Sequence, residues 1–306
     1  MDQSLFRPGD LIDQRYRLLR PLGVGGMAEV WQARHEVLDR DIAVKLVRGA
    51  DPAVAERLRL EARALARLSH RAIVQVFDAG STEGGVPFLA LELVNGESLE
   101  ARLLRGPLGP RGAATLIAAV CDGLAVAHAA SIIHRDVKPS NILLPAESPM
   151  SPRIVDFGVA ALTSSADPKL TRAGAVVGTP AFMAPEQLKG ETPDASTDVW
   201  GAAVTLQEAA FGCLPFQSED LRSLSALVLT EEPKRPVGAT DQRFWDIVRR
   251  GLAKDRSERF PSAESLAKSL RAWLAGTAET ALVQRDQEPD GMTALSFDAL
   301  VKSRFA

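Results

Sequence analysis

The stretch that decides the reading is His134-Arg135-Asp136-Val137-Lys138-Pro139-Ser140-Asn141, followed downstream by Asp156-Phe157-Gly158. Two acids and an amide stand at set spacing, with a lysine between them. Asp136 is placed to orient an incoming hydroxyl or to accept its proton. Asn141 and Asp156 offer oxygen donors of the hard kind that Mg²⁺ prefers. Lys138 can offset charge on a group in transit. This is the inventory that phosphoryl transfer from a nucleotide to a hydroxyl requires. Phe157 is expected in the core.

Upstream, Gly23-Val24-Gly25-Gly26-Met27-Ala28-Glu29-Val30 lies between two predicted strands. Glycines let a backbone approach phosphates and present N–H groups with no Cβ in the way. A dinucleotide fingerprint runs from a strand into a helix, whereas here a strand follows. Val30 would then pack on a base from above. In Ala43-Val44-Lys45 the period of two puts Ala43 and Lys45 on one face. Lys45 therefore points toward the glycine run and can reach the α and β phosphates. Its acid is expected to be Glu61, in Arg59-Leu60-Glu61-Ala62-Arg63. Glu61 is preferred to Glu56 because it shares a helical side with Leu65 and Leu68.

Residues 15–48 alternate apolar and polar side chains and read as three strands, around Tyr16 and Leu18, Val30 and Trp31, and Ile42, Val44 and Leu46. Residues 52–68 read as a helix with Leu58, Ala62, Leu65 and Leu68 on one face. Strands resume at 73–78 and 86–94. From Ser98 the period becomes helical, over 98–104, 111–130, 196–211, 218–229, 241–253 and 262–275. Short strands are expected at 142–144 and 153–155. The expected fold is α+β and bilobal, with a small antiparallel β-sheet lobe carrying one main helix over 15–94. A larger, mostly helical lobe follows over 95–275. Residues 1–14 read as an N-terminal arm and 276–306 as a flexible C-terminal tail. Within that tail 284–291 reads as a solvated linker. Leu295, Phe297, Leu300, Val301 and Phe305 read either as one face of a short docking helix or as part of a frayed end.

The chain has 306 residues, 46% hydrophobic and 25% charged, the values of a globular protein. Its length suits two cores. A net charge of −3 gives no support to nucleic-acid or anionic-membrane binding. Cys121 and Cys213 have no metal-ligand spacing and read as small buried side chains in a reducing compartment. Met1-Asp2-Gln3-Ser4 does not read as a secretory leader. No uninterrupted apolar run reaches the ~18 residues a membrane span needs. A cytoplasmic location with no intrinsic membrane span is expected.

The glycine run, Lys45, Glu61, the 134–141 run, Asp156-Phe157-Gly158, Ala184-Pro185-Glu186, Asp198 and Arg259 occur in that order. Through them the chain resembles the eukaryotic-type (Hanks-type) protein kinases, especially their bacterial serine/threonine branch, from about Tyr16 to about Leu274. The resemblance implies a bilobal kinase fold using ATP and Mg²⁺, with Mn²⁺ able to substitute. It implies catalytic roles for Asp136, Lys138, Lys45 and Glu61, and metal binding by Asn141 and Asp156. ATP contacts are implied for Leu22, Gly23, Val24, Gly25, Gly26, Val30, Ala43, Lys45, Glu92, Val94 and Leu143. Glu92 and Val94 would offer backbone groups to adenine, Leu91 would guard the back of the pocket, and Leu143 would close it from below. An Arg259–Glu186 ion pair and an Asp198 brace under the catalytic loop are implied as structural.

Lys138 and Gly178-Thr179-Pro180 resemble the serine/threonine form, with Thr179 bonding Asp136 and Lys138. The loop between Asp156 and Glu186 carries Thr163, Ser164, Ser165, Thr171 and Thr179. A phosphate on Thr171 could pair with Arg135 and order that loop. Ala173 stands where relatives often carry a second threonine. Ala28 replaces the third glycine of the loop, and Gly201 stands where serine is more usual. The implied function is γ-phosphate transfer from ATP to protein Ser/Thr hydroxyls, with autophosphorylation in this loop. Partners would be protein substrates and a transient homodimer. The alternatives are a pseudokinase-type scaffold that binds nucleotide and partners without turnover, and a small-molecule kinase, against which the long loop and Thr179 argue.

Overall fold

Alternation of apolar and polar residues builds a front lobe around one antiparallel sheet. The computed structural model describes residues 5–25, 28–48, 52–157 and 180–287. The sheet holds β1 (Leu11–Ile12), β2 (Tyr16–Val24), β3 (Ala28–His35), β4 (Arg40–Val47), β5 (Val76–Ser81) and β6 (Pro87–Leu91). Their spatial order is β1-β2-β3-β4-β6-β5. The period of two sorts β4 between its faces. Ile42, Val44 and Leu46 join an outer cluster with Tyr16, Leu18, Trp31 and Phe88. Ala43 and Lys45 take the other face.

Helix α1 (Pro52–Leu65) packs on the sheet. Leu58, Ala62 and Leu65, with Leu68 just beyond it, are buried as their spacing predicts. They belong to a large cluster that also contains the interior of the helical lobe. The molecule thus has two cores, but their border is the sheet itself and not the seam between lobes. The strand expected at 73–78 is divided. Only Val76 onward joins the sheet, while Ile73 bridges Ile154 in parallel and Val74 N–H donates to the Ile154 carbonyl at 3.0 Å.

The back lobe holds α2 (Leu99–Leu103), α3 (Gly109–Ala129), α4 (Pro185–Leu188), α5 (Ala195–Phe211), α6 (Leu221–Thr230), α7 (Gln242–Gly251) and α8 (Ala263–Gln287). Three short strands, β7 (Gly96–Ser98), β8 (Ile142–Pro145) and β9 (Arg153–Ile154), form a second antiparallel sheet beside the seam. Asp194, Asp220 and Asp241 cap α5, α6 and α7, each accepting a first-turn backbone N–H. Gly212, at φ 72°, ends α5 in the left-handed conformation.

Residues 5–12, expected within an arm, lie along the sheet, with β1 paired to β2. Helix α8 runs to Gln287, past the expected end at 275 and through part of the expected linker. Among the described residues one helix, α3, is long and apolar enough to cross a membrane, although Asp122 interrupts it. In the fold it is a core helix, with Leu116, Ile117, Val120, Cys121 and Leu124 fully buried. Burial pushes the Cys121 thiol well above its usual range. Cys213 is half-buried, and neither cysteine is in a disulfide.

Candidate active site

The 134–141 run forms a loop closed by a 3₁₀ turn at Pro139–Asn141. Its shape is fixed from below by α5. Asp198, 1% exposed, accepts the backbone N–H of His134 at 2.8 Å and of Arg135 at 2.7 Å. It also accepts His128 Nε2–H at 2.7 Å. Arg135 has φ 70°, a conformation that costs a non-glycine residue about 1–3 kcal/mol. The backbone bonds to Asp198 hold it there. The Arg135 carbonyl accepts from Gln187 Nε2 at 2.8 Å, and Gln187 Oε1 accepts the Ala184 N–H at 3.0 Å.

Asp136 is aimed by its neighbours. Asn141 Nδ2 donates to the Asp136 carbonyl at 2.8 Å and to its Oδ2 at 2.9 Å. Lys138 Nζ lies 2.8 Å from the same Oδ2. With Nδ2 committed to Asp136, the amide oxygen of Asn141 is turned away from that residue. The second acid arrives from β9. Val155 N–H donates to the Asn141 carbonyl at 3.0 Å, and His134 Nε2–H donates to the Val155 carbonyl at 2.8 Å. The His134 ring accepts the Asp136 N–H on Nδ1 at 3.2 Å and packs edge-on against buried Phe157. Asp156 follows at φ 65°.

Lys45, 6% exposed, comes down from β4, and its Nζ lies 2.7 Å from Asp156 Oδ1. The carboxylate set against Lys45 in these contacts is the one expected at the metal. Glu61 is half-buried on α1 and has contacts of its own. Val30 pairs with Lys45 across β3 and β4, and Ala43 pairs with Leu91. Leu22, Gly23, Val24 and Gly25 are exposed on the turn, and Val30, Glu92, Val94 and Leu143 are half-buried. The Glu92 N–H donates to the Gln75 carbonyl at 2.9 Å. Gly26, Gly158, Thr171 and Thr179 lie outside the described residues.

The donor set fits Mg²⁺. It combines a carboxylate and an amide oxygen, both of the hard kind that ion takes. Among the described residues no group of three or more His, Cys, Asp or Glu could hold a metal alone. A two-residue set suits an ion that shares its sphere with phosphate oxygens.

Below the site Arg259 reaches Glu186 through two parallel bonds of 2.8 Å, one from each terminal nitrogen. Thr197 Oγ1 donates to the same carboxylate at 2.8 Å. Burial pushes the Glu186 carboxyl up, but the bonds from Arg259 and its charge outweigh this and leave it lowered. Gln187 and His128 were not singled out by the sequence reading, since neither stands inside a recognisable run. Gly201 is packed so closely that an added Cβ would lie 2.8 Å from the Val137 carbonyl oxygen.

The architecture is the bilobal α+β kinase fold. The model of the protein kinase domain matches residues 16–270. The chain is 36% identical over 277 residues to the serine/threonine-protein kinase pkn3 of Myxococcus xanthus, covering 86% of this chain and 51% of that protein. It is 36% identical over 273 residues to PknB of Mycobacterium tuberculosis strain H37Rv, covering 86% and 43%. PkaA of Streptomyces coelicolor matches at 36% over 282 residues, covering 87% and 51%. The chain therefore belongs to the protein kinase family, in the bacterial branch of its Hanks-type serine/threonine members. It spans about half the length of these curated relatives.

Proposed function

We propose that this chain is a serine/threonine-protein kinase that moves the γ-phosphate of ATP to protein hydroxyls. The observation that carries the reading is Asp136 Oδ2, held jointly by Lys138 Nζ and Asn141 Nδ2 at 2.8 and 2.9 Å. A carboxylate so fixed can receive and orient a hydroxyl without first reorganising. Asp136 takes the hydroxyl proton or its hydrogen bond, and Lys138 offsets charge on the phosphoryl oxygens. Asn141 and Asp156 would hold Mg²⁺, which when bound neutralises and orients the phosphates. Lys45 now rests on Asp156 at 2.7 Å. With Asp156 engaged at the metal, Lys45 would hold the α and β phosphates and Glu61 would hold Lys45. The glycine turn, Val30, Ala43 and Leu143 would enclose the base, with Glu92 and Val94 at its polar edge.

Regulation by Thr171 belongs to the same reading. Arg135 Nε is buried and meets no hydrogen-bond partner among the described residues. A phosphate on Thr171 would supply acceptor oxygens and about −1.5 to −2 of charge. Two copies would meet transiently to phosphorylate each other. Thr179 would line the acceptor groove.

Incubation with Mg-ATP and a generic basic protein, followed by site mapping, tests the proposal. The expected result is phosphate on serine or threonine of the acceptor and on Thr171. Asp136→Ala should slow transfer by roughly 10²–10⁴-fold with ATP binding kept. Full activity in that variant would sink the assignment. Nucleotide binding with no transfer by the unaltered chain would favour the scaffold instead.

A further inference from the structure

The glycine run contains a buried charge that the proposed mechanism does not use. Glu29, at the start of β3, is 0% exposed. The period of two places it with Trp31 and Ala33 on the outer face, opposite Val30. Its Oε1 accepts Arg48 Nε at 2.9 Å, Arg48 Nη2 at 2.6 Å and the Leu5 N–H at 2.9 Å. Its Oε2 accepts Trp31 Nε1–H at 2.9 Å. A charge removed from water is tolerated only when bonded in this way.

Each partner comes from a different piece of the lobe. Arg48 is the residue after β4, the strand that carries Lys45. Leu5 opens the segment that Phe6 packs against the outer cluster. That segment is bound to β2 by Gly9 N–H to the Leu18 carbonyl at 2.8 Å and by Leu18 N–H to the Asp10 carbonyl at 2.9 Å. Glu29 itself pairs with Val24 across the glycine turn, and its neighbour Val30 pairs with Lys45. One carboxylate thus joins the N-terminal segment, the strand leaving the turn and the exit of the lysine strand.

We infer that Glu29 is a positioning residue for the nucleotide, holding the glycine turn preset over the phosphates with residues 5–12 as its strap. The inference rests on the kinase reading above. A glycine turn has little stiffness of its own. Unless something else orders it, each binding event must, and affinity falls. The effect should therefore appear in ATP binding, while the chemical step, set by Asp136 and Lys138, stays unchanged. A purely structural Glu29 would lower melting temperature and leave the affinity of the folded protein alone.

Glu29→Gln strips the counter-charge from a nearly buried arginine and risks unfolding. The paired variant Glu29→Leu with Arg48→Met removes both charges and keeps volume. Thermal melting, steady-state kinetics with Mg-ATP and a basic protein acceptor, and direct binding of a non-hydrolysable ATP analogue are measured on the full chain. We expect a folded protein, with melting lowered by the Leu5 and Trp31 N–H groups that lose their acceptor, and a KM for ATP about tenfold higher. Analogue affinity should weaken by the same factor, with kcat and acceptor KM within about twofold. Trp31→Phe keeps both charges and removes one bond, so it should weaken the analogue about two- to threefold even if the paired variant unfolds. A folded paired variant, or Trp31→Phe, with wild-type analogue affinity would overturn the inference. So would a paired variant in which kcat falls and KM does not move. Analogue binding without transfer in the wild type would remove the kinase reading and still leave the Glu29 effect measurable. No binding by the wild type would remove both.

Discussion

Glu29 with Arg48 in the front lobe and Glu186 with Arg259 in the back lobe are both carboxylate–guanidinium pairs withdrawn from water. Side-chain exposure is 0% and 12% in the first and 1% and 0% in the second. The first joins residues 19 apart in sequence and the second residues 73 apart. The near pair fastens one strand to its neighbour. The far pair fastens α4 to the turn between α7 and α8, so losing it frees a much longer stretch of chain. The contrast suggests that the near pair tunes a site, whereas the far pair holds a lobe together.

The largest effect is expected at the far pair. Arg259→Ala leaves Glu186 as a buried carboxylate without its forked partner, and should cost about 3–5 kcal/mol in denaturant unfolding. If Arg48→Ala costs as much, the contrast between the pairs fails. Next is Gly201→Ala. Its Cβ would press on the Val137 carbonyl, so a loss of about 1–3 kcal/mol is expected. Transfer should drop too, because Val137 lies between Asp136 and Lys138.

The pH dependence sharpens the comparison. Glu186 has a folded pKa below its ordinary 4.5. In the window between the two values the unfolded chain binds more protons than the folded one. The contribution of Glu186 is thus present above about 4.5 and lost as pH falls through the lower folded value. Acid titration of stability should show this loss, and Glu186→Leu paired with Arg259→Met should flatten it.

Lys254 gives a pH effect at the opposite end of the scale. Its ammonium donates to the Val228 carbonyl at 2.7 Å and lies over the Phe216 ring. Burial nonetheless pulls its pKa from 10.5 down to about 8. Between those values the unfolded chain again holds the extra proton, so stability should rise with pH across that window. Lys254→Met should abolish the rise.

What could be read from the sequence divides along the same line as the two pairs. The 134–141 loop is a contiguous run, so its residues announce themselves together. Its contacts, Asn141 and Lys138 on Asp136, are short-range. Resemblance supplied the long-range partners Asp198 and Arg259. Glu29 went unread because two of its partners are a distant backbone N–H and an arginine just past the end of another strand. One clue was available, since the period of two sets Glu29 on the face of Trp31. β1, at two residues, is too short to display any alternation. Helix α8 runs past its expected end through Ala278, Glu279, Ala281 and Leu282, residue types of good helix propensity. The carboxylate against Lys45 could not be foreseen from spacing, because β4 and β9 meet only across the seam.

Arg135 joins two features that a search for heat-resistant variants would act on. Its backbone is held in a conformation that glycine or asparagine adopts more easily, and its Nε is buried with no acceptor among the described residues. Selection for survival at high temperature alone, blind to turnover, should enrich small residues at position 135. On the regulation proposed above, the same clones would be unable to answer a phosphate on Thr171. Robustness and responsiveness would be traded against each other at a single codon.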